Sequence, residues 1–166
     1  ISELYTERAA DILEEMDPDD AADLIAELAP EMAEVLLGRM EPEEADDVRR
    51  LLSYAESTAG GMMTPEPVIL PPDATVAEAL ARIRDAELTP ALACMVYVCR
   101  PPLDTPTGRF VGAVHFQRLL REPPSTLVSA LIDTELETLT DQANLHEVSR
   151  YFATYNLVNA PVVDAA

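Results

Sequence analysis

The chain has 166 residues, room for one medium domain or two small ones, and its 48% hydrophobic content is enough for a core. Thirty-one acidic side chains stand against eleven basic ones, all of them arginine, for a net charge of −20. This balance excludes nucleic-acid phosphates and anionic lipid headgroups as partners and favours cations.

The longest apolar runs, such as 91–99, fall short of the roughly 20 residues that a membrane helix needs. No basic segment precedes an apolar one as in a secretory leader. The chain runs from Ile1 to Ala166 without an initiator methionine, and is expected to be a fragment of a longer protein, with room for a membrane segment beyond it.

A repeat occupies the first fifty residues. Pro18, Pro30 and Pro42 recur every twelve residues, with Thr6 in the same phase one unit earlier. Three apolar columns accompany them: Ala9, Ala21, Ala33 and Ala45; Ile12, Leu24, Leu36 and Val48; Met16, Leu28, Met40 and Leu52. Within each unit the columns fall at i, i+3 and i+7, one face of a helix. Proline at a first helical position loses no hydrogen bond, and the acidic residues after it oppose the positive end of the helix dipole. The spacing predicts stacked helices of about ten residues, each too short to stand alone. Residues 1–57 carry 18 acidic and 4 basic side chains, net −14, and residues 58–166 carry 13 and 7, net −6.

After Gly60-Gly61 the pattern changes. Residues 67–70 read as a strand, and Thr75-x-x-Glu78 as a capping box opening a helix whose apolar face is Val76, Ala79, Leu80 and Ile83. Residues 95–99 predict a strand, followed by a proline-rich loop to Gly108, a second strand over 109–114, and a helix carrying Leu119 and Leu120. Much of this then returns: 136–139 is strand-like, Asn144-x-x-Glu147 resembles a second capping box, Leu145, Val148 and Phe152 repeat the helix face, and 161–163 begins the matching strand. A β-α-β-β-α unit is thus present once in full and once cut short.

Cys94 and Cys99 sit in one apolar stretch, read as reduced and buried; C-x4-C without further cysteines or a nearby histidine is a poor zinc site. There is no glycine-rich phosphate loop, no G-x-S-x-G and no metal-binding histidine pair, and neither His115 nor His146 has a Ser or Cys partner by motif. The chain is read as a non-enzyme.

The unit used twice resembles the CBS domain pair. The segment Leu51-Leu-Ser-Tyr-x-Glu-x-Thr-Ala-Gly-Gly-x-Met-Thr-Pro65 resembles the junction between the helical N domain and the first CBS unit of MgtE magnesium transporters. The likeness spans essentially the whole chain and implies an α+β fold. An all-α acidic module over 1–57 precedes a first CBS unit over 58–124 and an incomplete second unit over 125–166. It also implies a cytoplasmic magnesium sensor beneath a dimeric pore, with ions held between acidic surfaces favouring the closed state.

By the same resemblance, Asp19 and Asp23 are the ion ligands of the helical module, four residues apart and hence on one helix face. The second CBS helix is expected to add the Ala153 carbonyl and Asn156. There the sequence departs from the family: Asn144, His146 and Asn156 stand where acidic residues are expected, and histidine suits transition metals better than magnesium. The family's nucleotide signature has a hydroxyl and a carboxylate where Gly112-Ala-Val-His115-Phe-Gln-Arg118 has His115 and Arg118. A ribose diol loses its acceptor, which argues against an adenine nucleotide.

The function implied is a regulatory magnesium-sensing domain of a transporter, with Mg²⁺ bridging the acidic module and the CBS pair. Its expected partners are divalent cations, a second copy joined through the CBS units, and the parent's transmembrane domain, and its expected place is the cytoplasmic face of an inner or plasma membrane. The alternative is a stand-alone cytoplasmic CBS module for interaction or nucleotide sensing that has lost the ion site.

Overall fold

The computed structural model describes residues 2–86, 88–103, 108–155 and 157–164. They form two compact units, one of Ile1–Pro65 with Thr140–His146, the other of Glu66–Leu139 with Glu147–Ala166.

In the first unit α1 (Ser2–Glu14), α2 (Pro18–Ala26), α3 (Pro30–Leu37) and α4 (Pro42–Leu52) follow the twelve-residue period, and each predicted proline opens its helix. Asp19 and Asp20 in α2, and Glu43 and Glu44 in α4, occupy first turns, while Arg49 and Arg50 close α4, so both ends of that helix suit its dipole. Helices this short are marginal alone. They are held by packing of α2 on α4 and of α1 on α2 and α3, around Leu13, Ala21, Ile25, Leu36, Leu37, Ala45, Val48 and Leu51.

Burial does not follow the sequence columns uniformly. Leu36 and Val48 are 6% and 1% exposed, whereas their repeat-mates Ile12 and Leu24 are 62% and 49% exposed. In α1 and α2 the next residue, Leu13 or Ile25, takes the core position. The buried stripe thus turns by one residue, about 100°, between the first units and the last.

The chain leaves α4 through a junction that bonds to a distant segment. Ala59 and Gly60 donate their N–H groups to the Ala143 and Asp141 carbonyls, both at 2.8 Å, and Thr58 pairs antiparallel with Asn144. A β-carbon on Gly60 would lie 2.5 Å from the Tyr54 ring, so this close approach requires glycine.

In the second unit β1 (Ile69–Leu70), β2 (Met95–Arg100) and β3 (Arg109–His115) form a sheet in that order. β1 is parallel to β2, and β2 antiparallel to β3. The crossover from β1 to β2 runs through α5 (Val76–Ile83) and the short α6 (Pro90–Ala93), which the sequence pattern did not announce. Central β2 buries Met95, Val96, Val98 and Cys99, residues from both faces. Val76, Val96, Val98, Val114, Leu119 and Val128 make the heart of this core.

The predicted capping box is formed: Thr75 N–H donates to Glu78 Oε2 at 2.6 Å, and Glu78 N–H to Thr75 Oγ1 at 3.3 Å. These bonds from the Thr75 backbone and side chain hold the Glu78 carboxyl below its usual pKa. Thr75→Ala is expected to lower unfolding stability by about 1 kcal/mol in a urea titration.

A short helix, α7 (Phe116–Leu119), follows β3, with Leu119 buried and Leu120 exposed, so only half of the predicted apolar pair enters the core. β4 (Leu139–Thr140) and β5 (Val162–Val163) pair as a two-stranded sheet, β4 shorter and later than the 136–139 expected. Between them lies α8 (Leu145–Tyr155), where Tyr151 is buried and Val148 and Phe152 are half-buried. Leu145, expected on the buried face, is exposed because it opens the helix ahead of the packed turn at Tyr151. The Tyr151 hydroxyl donates to the Glu137 carbonyl, which anchors α8 to the segment before β4.

Candidate functional site

Asp19 and Asp23 lie on α2, one turn apart on the same side of the helix. Pro18, buried at the first position, fixes the start of α2, and Ala21, Ala22 and Ile25 hold its inner face in the core. Asp19 is half-buried and Asp23 exposed. Burial pushes the Asp19 carboxyl above its usual pKa, and the neighbouring charges of Asp20 and Asp17 push in the same direction, against lowering backbone hydrogen bonds.

Asp17 and Asp20 flank Asp19 and are not among the residues expected as ligands from the sequence. Their signal was the density of carboxylates, four within seven residues, 17–23. Among the described residues none of these four carboxylates forms an ion pair, while Arg39, Arg49 and Arg50 elsewhere in the same unit pair with Glu7, Asp46 and Asp47.

Among the described residues, no group of three or more His, Cys, Asp or Glu side chains is placed to hold a metal ion. The two α2 carboxylates, Asp19 and Asp23, could furnish at most part of a coordination shell. That fits a magnesium ion, which keeps several waters and takes one or two carboxylates, better than a cation that needs a full protein cage.

Of the other expected ligands, Ala153 is exposed in the last turn of α8, where helix carbonyls lack intrahelical partners. Asn156 lies outside the described residues. Asn144 Oδ1 accepts the His146 N–H at 3.0 Å, and the His146 side chain is exposed on the first turn of α8. Asp19 and Asp23 share one compact unit, and Ala153 belongs to the other.

The segment read against the nucleotide signature runs from β3 into α7. Its His115 caps α7, Nδ1 accepting the Gln117 N–H at 3.3 Å, and both His115 and Arg118 are exposed. Cys94 is half-buried and Cys99 buried; both are free thiols, pushed above the usual thiol pKa by desolvation. No described helix is long and apolar enough to cross a membrane.

A family model described as the MgtE intracellular N domain matches residues 1–57, and a CBS domain model matches residues 59–125. The magnesium transporter MgtE of Thermus thermophilus is 30% identical over 118 residues, 71% of this chain and 25% of that protein. A crystal structure of the cytosolic domain of the Mg²⁺ channel MgtE in complex with ATP is 31% identical with a TM-score of 0.82, covering 95% of this chain and 63% of that one. The soluble part of a magnesium transporter is 27% identical with a TM-score of 0.82, covering 96% of this chain and 60% of that one. The chain therefore spans a quarter of the curated relative and less than two thirds of either structure.

Proposed function

We propose, for a chain that combines an MgtE intracellular N domain with CBS architecture, that it is the cytosolic regulatory part of a magnesium transporter and that its acidic module senses the ion. The reading rests above all on the carboxylate crowding at the start of α2. Asp19 is half-buried among like charges, with no arginine paired to it or to its three neighbours among the described residues. A hard divalent cation relieves that repulsion.

Asp19 and Asp23 would hold the ion through carboxylate oxygens, leaving its remaining positions to water. A cation that binds only the compact state stabilises that state by mass action, about 2.7 kcal/mol at 100 times its Kd. In this reading the loaded form favours a closed pore and loss of the ion releases it. The partners are the transmembrane part of the same transporter and a second copy joined through CBS units. The role is regulatory, and no catalytic step is assigned.

The test is thermal unfolding in MgCl2 against NaCl of equal ionic strength. Near saturation the magnesium sample is expected to melt about 5–10 °C higher. Asp19→Asn with Asp23→Asn should remove most of that excess while raising the metal-free melting temperature, because the crowding is gone. Protonation relieves it too: with its folded pKa raised, Asp19 favours the fold most at low pH, and this contribution is lost as pH rises through that value. Equal melting in the two salts would sink the sensing role.

A second reading, an adenine-nucleotide sensor, is favoured by the relative solved with ATP. The donor residues His115 and Arg118 oppose it. Saturable ATP binding by calorimetry would carry it, and a flat titration would end it.

A further inference from the structure

The helical unit leaves apolar side chains without a neighbour. Half of the fourteen exposed large apolar residues among the described residues fall between Leu4 and Val35, a concentration that marks an interaction face. Tyr5 and Ile12, seven residues apart, share one side of α1. Leu24 and Leu28, four apart, lie at and just past the end of α2.

The repeat itself indicates what covers such a face. Leu36 of α3 and Val48 of α4 hold the same column as Ile12 and Leu24, and both are buried, at 6% and 1% exposed. α3 packs on α1 and α4 packs on α2, each on the helix two units before it. Among the described residues no helix stands two units before α1 or α2, and there the column is 62% and 49% exposed. Ile12 and Leu24 thus occupy a helix-stacking position that lacks its helix.

Charge decides what kind of helix fits. Residues 9–38 contain ten acidic side chains and no basic one. Inside the unit, Arg39 beyond α3 reaches Glu7 of α1 at 3.1 Å, so an arginine already ties one repeat to another. A second copy would set like charge against like charge, whereas a helix with cations beside its apolar stripe is drawn in. We propose that the α1–α2 face docks a basic amphipathic helix of a partner protein. Its apolar stripe would cover Tyr5, Ile12, Leu24 and Leu28, with its cations against the surrounding carboxylates. The inference goes beyond the magnesium reading and does not depend on it.

The test is fluorescence anisotropy of a labelled leucine–lysine peptide of about 18 residues, with leucines spaced to form one helix face. It is titrated with the whole chain in EDTA-containing buffer at physiological salt. Saturable binding is expected, about tenfold weaker for I12N/L24N. L120N/L127N, the same change at exposed sites of the other unit, should bind as the parent does. Because Ile12 and Leu24 are exposed, I12N/L24N should keep the far-UV circular dichroism of the parent. Equal affinity for a scrambled peptide of the same composition would overturn the face, since charge alone would then explain binding. Undiminished binding by I12N/L24N, or an equal loss in both double variants, would overturn it as well. Self-association in sedimentation that I12N/L24N abolishes would make the occupant a second copy and overturn the partner. Failure of the peptide to bind the full-length natural protein would do the same, because its own helices would then fill the face. A flat titration here leaves the magnesium melt standing, and a melt indifferent to magnesium leaves the docking result standing.

Discussion

A Gly112→Ala variant is expected to lose about 4 kcal/mol of stability and to melt roughly 10 °C lower. Two costs combine. Gly112 sits at φ 156°, a backbone region that residues with a β-carbon rarely enter. It also lies at a pairing irregularity: Val98 faces Gly112 and Cys99 faces Phe110, so Val111 is an extra residue in β3. The bulge brings β3 against the segment after the 128–130 turn, where Asp133 N–H donates to the Ala113 carbonyl at 2.9 Å. A β-carbon at Gly112 would collide with Ile132 Cγ2 and stand 2.7 Å from the Asp133 carbonyl oxygen. Backbone gives way less readily than a side chain, so the strand must shift. Urea unfolding followed by circular dichroism measures the loss. A midpoint matching that of the parent would mean that the 131–133 segment moves aside freely.

Ile25→Ala is the second large effect, about 3 kcal/mol lost from the helical unit. Ile25 is 2% exposed on α2, among the largest fully buried side chains, and α2 packs on both α1 and α4. Its nine-residue helix cannot persist without that contact. Because α2 also carries Asp19 and Asp23, the variant should lose the proposed magnesium response along with stability. Amide hydrogen exchange localises the effect: protection should fall across α2 and α4 and stay near parent values in β2 and β3. Uniform loss over both units would show that they unfold as one, and unchanged protection in α2 would mean that Ile25 is not its anchor.

Local chemistry was the most legible part of the sequence. Proline at a helix start and the Thr75–Glu78 capping box act within one turn, and both formed where the spacing placed them. The choice among repeated columns was not legible. Ile12 and Leu36 are equivalent in period, yet only Leu36 is buried, because burial depends on which neighbour arrives and not on the repeat itself. The bulge at Val111 and the short α6 were likewise invisible, since pairing register and crossover path are set by the opposing strand. At the candidate site, the shared helix face of Asp19 and Asp23 followed from spacing alone. Their unequal exposure came from the packing of α2, and the part played by Asp17 and Asp20 was hidden by how common acidic residues are in this chain.

The hydrogen bonds from Ala59 and Gly60 to Ala143 and Asp141 have a bearing on the order of events during synthesis. Some eighty residues separate the two sides of this contact, so α1–α4 can pack their own core as they leave the ribosome but cannot yet make this clasp. The clasp waits, with the Gly60 turn lacking its partner, until the 140–146 segment has been made. The intervening sheet emerges first, and the clasp on the helical unit forms only after it. A peptide of residues 1–57 alone would hold all four helices and still lack the strand-like clasp that completes them.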